Sequence, residues 1–210
     1  RYVLTTLEAA GFEAYCVGGC VRDLLLRRTP GDWDMTTSAR PEQTMALFGN
    51  CALPTGLKHG TVTVCSGMNR VETTTFRTDG AYADHRHPEQ VTFTDSLQED
   101  LSRRDFTVNA MAMELAGRLH DPFHGREDLK NGVLRCVGEP EKRFSEVALR
   151  ILRCLRFAAV LDFTVERETA AAMENCRELL REIAPERVRE ELTKLLCGPS
   201  AAAVLRHFPQ

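Results

Sequence analysis

No stretch of the chain stays apolar for the roughly 20 residues a membrane-spanning helix requires, and no secretory leader pattern opens it. Charge of one sign is not in excess either. The 27 Lys and Arg against 30 Asp and Glu leave a formal net charge of −3. That balance excludes bulk electrostatic adhesion to nucleic acid and confines any nucleic-acid site to a local basic surface. The 8 cysteines form no CxxC pair, and no Cys/His spacing matches a zinc site. Cys16 and Cys65 fall in strand-like runs, Cys154 and Cys176 in helix-like ones, so reduced buried thiols in a cytosolic protein are expected. Internal repeats and low-complexity tracts are absent as well.

What is present is ordinary for a globular protein: 210 residues, 43% apolar and 27% charged, enough for a core and for one or two domains. The chain starts with Arg1, without Met, at the head of a helix-like stretch (RYVLTTLEAAGF). It ends in a helical pattern (SAAAVLRHFPQ) with nothing beyond it to pack against. A fragment of a longer polypeptide is the expectation.

The first half alternates strand and helix signals. Residues 14–17 (AYCV) read as a strand, Gly18-Gly19 as a turn, and Val21 to Arg28 as a short helix. Asp32 to Thr37 is strand-like. Pro41 opens a helix through Phe48, with Ser38 as the expected N-cap. "GTVTVCSGMNRVETTTFR" is a hairpin around Ser66-Gly67-Met68-Asn69. The aperiodic polar stretch 78–92, with His85 and His87, predicts a mobile loop. A helix near 96–103 and strands at Ala112 to Leu115 and Gly132 to Val137 complete this half. From Glu139 onward only helices are predicted, over "EVALRILRCLRFAAVL", 166–182 and an N-capped 186–197. The change near residue 138 divides the chain into a mixed α/β head, 1–138, and a helical neck, 139–210.

Alternate residues of a strand share a face. Asp32 and Asp34 therefore present two carboxylates side by side, while Trp33 is expected to point into the core. Two hard oxygen donors at that spacing suit Mg²⁺ together with phosphate oxygens, although two solvated aspartates on a surface strand have the same pattern. The preceding turn favours the first reading. Gly18 and Gly19 let backbone approach a ligand, the helix that follows offers free N–H groups, and Arg22 adds a guanidinium badly placed for the helix dipole. Glu72, among β-formers on the second hairpin strand, is available as a third carboxylate, although a charge on the solvent-facing side of a strand has the same pattern.

The run "GGCVRDLLLRRTPGDWDMTT" resembles the signature of the class II tRNA nucleotidyltransferase (CCA-adding enzyme) and bacterial poly(A) polymerase family. "HGTVTV…VETTTFR", "DLSRRDFTVNAMAM", "DPFHGREDLKNGVLRCVG" and "RFSEVALRILRCLRFAA" continue the likeness in the family's order across nearly the whole chain. The resemblance implies an α+β fold: a nucleotidyltransferase head with a mixed, mainly antiparallel sheet flanked by helices, then an all-helical neck, with the C-terminal body and tail absent. It implies Mg²⁺-dependent transfer of CMP and AMP from CTP and ATP to the 3′ end of tRNA, with release of pyrophosphate by a cytoplasmic enzyme. Asp32 and Asp34 would hold the metal, with Glu72 as third carboxylate. Gly18, Gly19 and Arg22 would meet the triphosphate, Arg104 would also meet the nucleotide, Asp105 and Asn109 would shape the site, and Arg150, Arg153 and Arg156 would face the nucleotide.

One departure stands out. The family's Glu-Asp-x-x-Arg, whose Asp and Arg read a base edge, is Glu146-Val147-Ala148-Leu149-Arg150 here. The acceptor for a base amino group is missing at Val147, which costs roughly 1–3 kcal/mol and predicts weaker preference for CTP and ATP over UTP and GTP. A poly(A) polymerase of the same family and a nucleotide-binding module with little turnover are the alternatives.

Overall fold

A computed structural model describes residues 1–67, 69–80 and 90–208, divided into two units. The first holds Arg1–Gly80, Gln90–Arg104 and Asn109–Gly125. Its elements run α1 (Tyr2–Ala9), β1 (Ala14–Val17), α2 (Gly19–Leu25), β2 (Asp34–Thr37), α3 (Pro41–Phe48), β3 (Ala52–Gly56), β4 (Thr61–Ser66) and β5 (Asn69–Thr75). They continue with β6 (Arg77–Asp79), β7 (Val91–Phe93), α4 (Leu97–Ser102), β8 (Ala112–Met113) and β9 (Leu119–His120).

Seven of these strands form one sheet in the order β3-β4-β5-β2-β1-β8-β9, antiparallel throughout except where β2 runs parallel to β5. The hairpin β4–β5 forms as its β-branched alternation demands: Val62, Val64, Val71, Thr73 and Thr75 turn inward, and Glu72 turns out. Val3, Leu4 and Leu7 of α1 and Phe48 of α3 are buried with them. Val17, Leu101 and Ala112 form a further cluster, against which Tyr15, Leu97 and Phe123 pack.

Several boundaries differ from expectation. Strand β2 begins at Asp34, two residues late, because Asp32 lies in a bend. Helix α3 is preceded by Arg40, whose N–H donates to Gln43 Oε1 at 2.8 Å; Ser38 instead accepts from the Glu13 N–H at 2.9 Å, tying the chain before β1 to the end of β2. The ends of the expected loop 78–92 pair as strands β6 and β7. His85 and His87 lie outside the described residues.

The second unit holds Asp105–Val108 and Arg126 onward. It carries α5 (Gly125–Asn131), β10 (Val133–Leu134), α6 (Pro140–Glu146), α7 (Leu149–Leu161), β11 (Thr164–Val165), α8 (Arg167–Asn175), α9 (Pro185–Leu196) and α10 (Ala201–His207). Phe106, Leu134, Phe144, Cys154 and Leu195 lie in its core, with Phe106 edge-on to Phe157 at 5.8 Å. Helices α7 and α9 pack together, and at the end of α9 a Cβ on Gly198 would sit 2.8 Å from the Ala159 carbonyl. Only glycine permits that approach.

Here too the pattern is corrected in places. A strand does occur after residue 139, since Thr164 and Val165 pair in parallel with Val133 and Leu134; two β-branched residues are too short a run to show a period. The helix expected from Glu146 is broken at Val147, which is extended (φ −139°, ψ 95°) and separates α6 from α7. Residues 166–182 divide into α8, capped by the Glu166 carboxylate, and a 3₁₀ segment Arg177–Glu182. Helix α9 has no capping side chain, because Ala184 precedes it and Pro185 sets its first turn.

Candidate active site

Strands β2 and β5 place Asp34 and Glu72 as direct partners in the parallel pair. Glu72 projects outward, and Asp34 is half-buried at the very start of its strand. Asp32 stands just ahead of that strand, yet its charge reaches both. Burial pushes the Asp34 carboxyl above the usual range; Arg104 draws it back and Asp32 pushes it further. Glu72 is raised by burial, then by the charges of Asp34 and Asp32. Among the described residues none of the three accepts a hydrogen bond on its carboxylate or forms an ion pair. Trp33 points away from the aspartates, as alternation requires, but not into the core. It is 38% exposed on the rim of a pocket that Tyr2, Met35 and Val71 also line.

The glycine turn adjoins these carboxylates. Gly18 has φ 79°, a left-handed conformation that glycine alone takes without strain, and a Cβ there would lie 3.1 Å from Arg104 Nη1. Gly19 opens α2, two residues earlier than expected. Arg22 is buried on that helix; its Nη1 donates to Asn109 Oδ1 at 2.7 Å, and its Nε and Nη2 donate to Asp23 Oδ1 at 2.9 and 2.8 Å. The first unit thus brings together the turn, Arg22, Arg104 and Asn109, with Arg104 acting electrostatically on Asp34.

Two aspartates that sequence reasoning missed hold these arginines. Asp23 neutralises Arg22. Asp100, wholly buried on α4, accepts from Thr36 Oγ1 on β2 at 3.1 Å and from Arg103 at 2.8 Å, and lies 3.5 Å from Arg104 Nη2. Burial pushes the Asp100 carboxyl up, but the two guanidiniums and these hydrogen bonds outweigh it and hold it below the usual range. An acid three and four residues before two arginines was the available signal, because that spacing puts all three on one side of a helical turn.

In the second unit each predicted arginine meets its own carboxylate. Arg150 donates to Glu146 at 2.9 Å and to the Arg143 carbonyl at 3.0 Å. Arg153 grips Asp105 Oδ2 through Nε and Nη2, at 2.9 and 2.6 Å. Arg156 pairs with Glu191 at 2.6 Å and lies 4.0 Å over the Phe157 ring. Among the described residues no group of three or more His, Cys, Asp or Glu side chains is arranged to hold a metal ion by itself. No helix in them is long and apolar enough to cross a membrane.

Comparison with known proteins bears on the family and the fold. A family model described as "Poly A polymerase head domain" matches residues 14–135, and one described as "Probable RNA and SrmB- binding site of polymerase A" matches residues 162–208. The chain is 53% identical over 206 residues to the CCA-adding enzyme of Lactobacillus helveticus (strain DPC 4571), covering 98% of this chain and 51% of that protein. Its structure is similar to that of the Bacillus stearothermophilus CCA-adding enzyme in complex with CTP: TM-score 0.89 at 46% identity, over 97% of this chain and 49% of that one. A tRNA nucleotidyltransferase complexed with a primer tRNA and an incoming ATP analog matches with TM-score 0.77 and 32% identity, over 99% of this chain and 59% of that one. The chain spans about half the length of the curated relatives it matches. A mainly antiparallel sheet flanked by helices, the five motifs in order and the family model over residues 14–135 lead to one assignment: the chain belongs to the poly(A) polymerase head-domain family.

Proposed function

We propose that the chain is the nucleotidyltransferase part of a CCA-adding enzyme, transferring CMP and AMP from CTP and ATP to the 3′ end of tRNA with release of pyrophosphate. The observation that carries the proposal is the Asp32, Asp34 and Glu72 group. Asp34 and Glu72 pair across β2 and β5, Asp32 stands just ahead of β2, and the three, beside a glycine turn, repel one another and have no hydrogen-bond or ion-pair partner among the described residues. Such a group fits a divalent cation. Because these acids form no complete metal cage, the fit is to Mg²⁺, which takes a few carboxylates and fills its other positions with water and phosphate oxygens. When bound it would acidify the RNA 3′-hydroxyl and neutralise charge on the triphosphate.

The chain's own residues bind and orient. Asp32 and Asp34 are the assigned metal ligands, with Glu72 as third carboxylate. Gly18 and Gly19 admit the triphosphate close to the backbone. Arg22, steadied by Asp23 and Asn109, and Arg104, backed by Asp100, receive its charge. In-line positioning and charge neutralisation then supply most of the rate, since phosphoryl transfer asks little covalent chemistry of the protein. Residues 1–138 are assigned as the catalytic head and 139–210 as the neck that reads the base, through Arg150, Arg153 and Arg156 with Asp105 orienting Arg153.

The test is incorporation of each of the four NTPs, with Mg²⁺, into a tRNA acceptor stem lacking CCA. Stepwise addition from CTP and then ATP supports the proposal. Addition from ATP alone makes the chain a poly(A) polymerase, and pyrophosphate release unaffected by Asp34→Ala removes the assigned site.

A further inference from the structure

Arg103 and Arg104 follow α4 directly, and their side chains go to different places. Arg104 Nη1 lies so close to the glycine turn that a Cβ on Gly18 would stand 3.1 Å from it. Arg103 turns to two aspartates instead. Its Nε and Nη2 donate to Asp100 Oδ1 at 3.1 and 2.8 Å, and its Nη1 lies 3.8 Å from Asp79 Oδ2. Asp79, at the end of β6, also pairs with Arg77 Nε at 3.3 Å.

The two oxygens of Asp100 divide their partners. Oδ1 accepts from both Arg103 nitrogens and from the Arg77 backbone N–H at 3.3 Å. Oδ2 accepts from Thr36 Oγ1 at 3.1 Å and faces Arg104 Nη2 at 3.5 Å. The Thr36 hydroxyl also lies 3.2 Å from the Thr74 carbonyl. Its single proton goes to the carboxylate, because a charged acceptor forms the stronger bond. Asp100 is wholly buried, so water does not replace a partner that is lost.

Held by β2, by β6 and by Arg103, the carboxyl group has one orientation. That orientation fixes Nη2 of Arg104, and because a guanidinium is planar and rigid, fixing Nη2 also sets where Nη1 points. Thr36 follows Asp34 by two residues on β2, so both side chains lie on one face of that strand.

We propose that Thr36 and Arg103 are positioning residues for the triphosphate: they lock Asp100 from β2 and from the end of α4, and Asp100 aims Arg104 Nη1 at the Gly18 turn. The two adjacent arginines thus have separate tasks, Arg104 to receive phosphate charge and Arg103 to hold the acid behind it. Because Thr36 shares a strand with Asp34, metal ligand and arginine keep a fixed spacing, as in-line transfer requires. What Arg104 receives rests on the function proposed above, whereas its fixing by Thr36 and Asp100 does not.

Thr36→Val keeps the side-chain shape and removes the donor, and Thr36→Ser keeps the donor. With Mg²⁺ present, Thr36→Val is expected to bind CTP about tenfold more weakly than the wild type, and Thr36→Ser within about twofold of it. Cytidine, which carries no phosphate, should bind all three chains alike in an NMR titration. Arg103→Lys keeps the charge but not the fork that spans Asp100 and Asp79, and should show the same selective loss of CTP. A general loosening of the fold would weaken both ligands together. Without any nucleotide, phenylglyoxal should modify Arg104 severalfold faster in Thr36→Val than in the wild type, read from peptide masses after chymotryptic digestion.

Unchanged CTP affinity in Thr36→Val and Arg103→Lys, equal weakening of CTP and cytidine, or a serine variant as weak as the valine one overturns the proposal. Should Thr36→Val fail to fold, Arg103→Lys decides by the same comparison of CTP with cytidine. If the wild type binds no CTP at all, the proposed function fails, and the modification rate of Arg104 still decides whether Thr36 holds it in place.

Discussion

The two units treat their acidic residues in opposite ways. In the second, Asp105, Glu146 and Glu191 are each clamped by an arginine, and the charge of each pair is compensated inside the fold. In the first, Asp34 and Glu72 face each other across β2 and β5 with Asp32 close by, and burial plus repulsion raises Asp34 and Glu72. Paired acids orient arginines. Under the proposed function the unpaired ones receive a cation from outside, and the fold tolerates the repulsion between them. Asp100 sharpens the contrast, since it lies in the same unit as Asp34 and is more deeply buried, yet two arginines and Thr36 hold it below the usual carboxylate range. Partners, not burial, separate the two behaviours.

The largest effect that can break this comparison is on catalysis. Asp34→Ala is expected to slow nucleotidyl transfer about a thousandfold, the equivalent of roughly 4 kcal/mol, while leaving the melting temperature of the metal-free chain unchanged or higher. Initial rates with CTP and a calorimetric scan check both halves. Asp105→Asn should do the reverse to stability. Removing the charge that Arg153 grips through two nitrogens should cost about 2 kcal/mol, lowering the melting temperature by about 6 °C.

Base selection comes next. Val147→Asp restores an acceptor at the break between α6 and α7, and should raise the preference for CTP and ATP over UTP and GTP about tenfold in the four-NTP assay. Unchanged preference would show that selection is made elsewhere.

The smallest effect is on pH dependence. Asp34 and Glu72 hold their protons more tightly in the folded chain than in the unfolded one. As pH rises from about 4, the unfolded chain releases these protons first, so the two groups lower stability progressively until it is fully reduced above their folded ranges. Without metal, Asp34→Asn should therefore match the wild type below pH 4 and exceed its melting temperature at pH 7 by about 2 °C.

Much of the first unit was legible because its signals are local. The β-branched hairpin and the Pro41 helix start follow from neighbouring residues and appear where expected, and the expected diglycine turn is found at Gly18, with Gly19 already opening α2. Long-range partners were not legible. Arg22 and Arg104 read as free cations because Asn109, 87 residues from Arg22, and the role of Asp100 under β2 are set by the fold. Trp33 read as core because alternation gives the side of a strand, not whether anything covers it. In the second unit, an unbroken apolar period concealed the extended Val147, since periodicity records which face is apolar and not where the backbone stops. For the three arginines of the second unit, spacing gave positions on a helix, and the fold supplied Asp105, Glu146 and Glu191 as their partners.

The most direct measurement is the affinity of CTP for the wild type and for Asp34→Asn, each titrated calorimetrically with and without Mg²⁺. If the open carboxylates hold the ion that carries the triphosphate, Mg²⁺ should tighten CTP binding in the wild type and leave Asp34→Asn unaffected. Equal tightening in both chains would contradict the assignment.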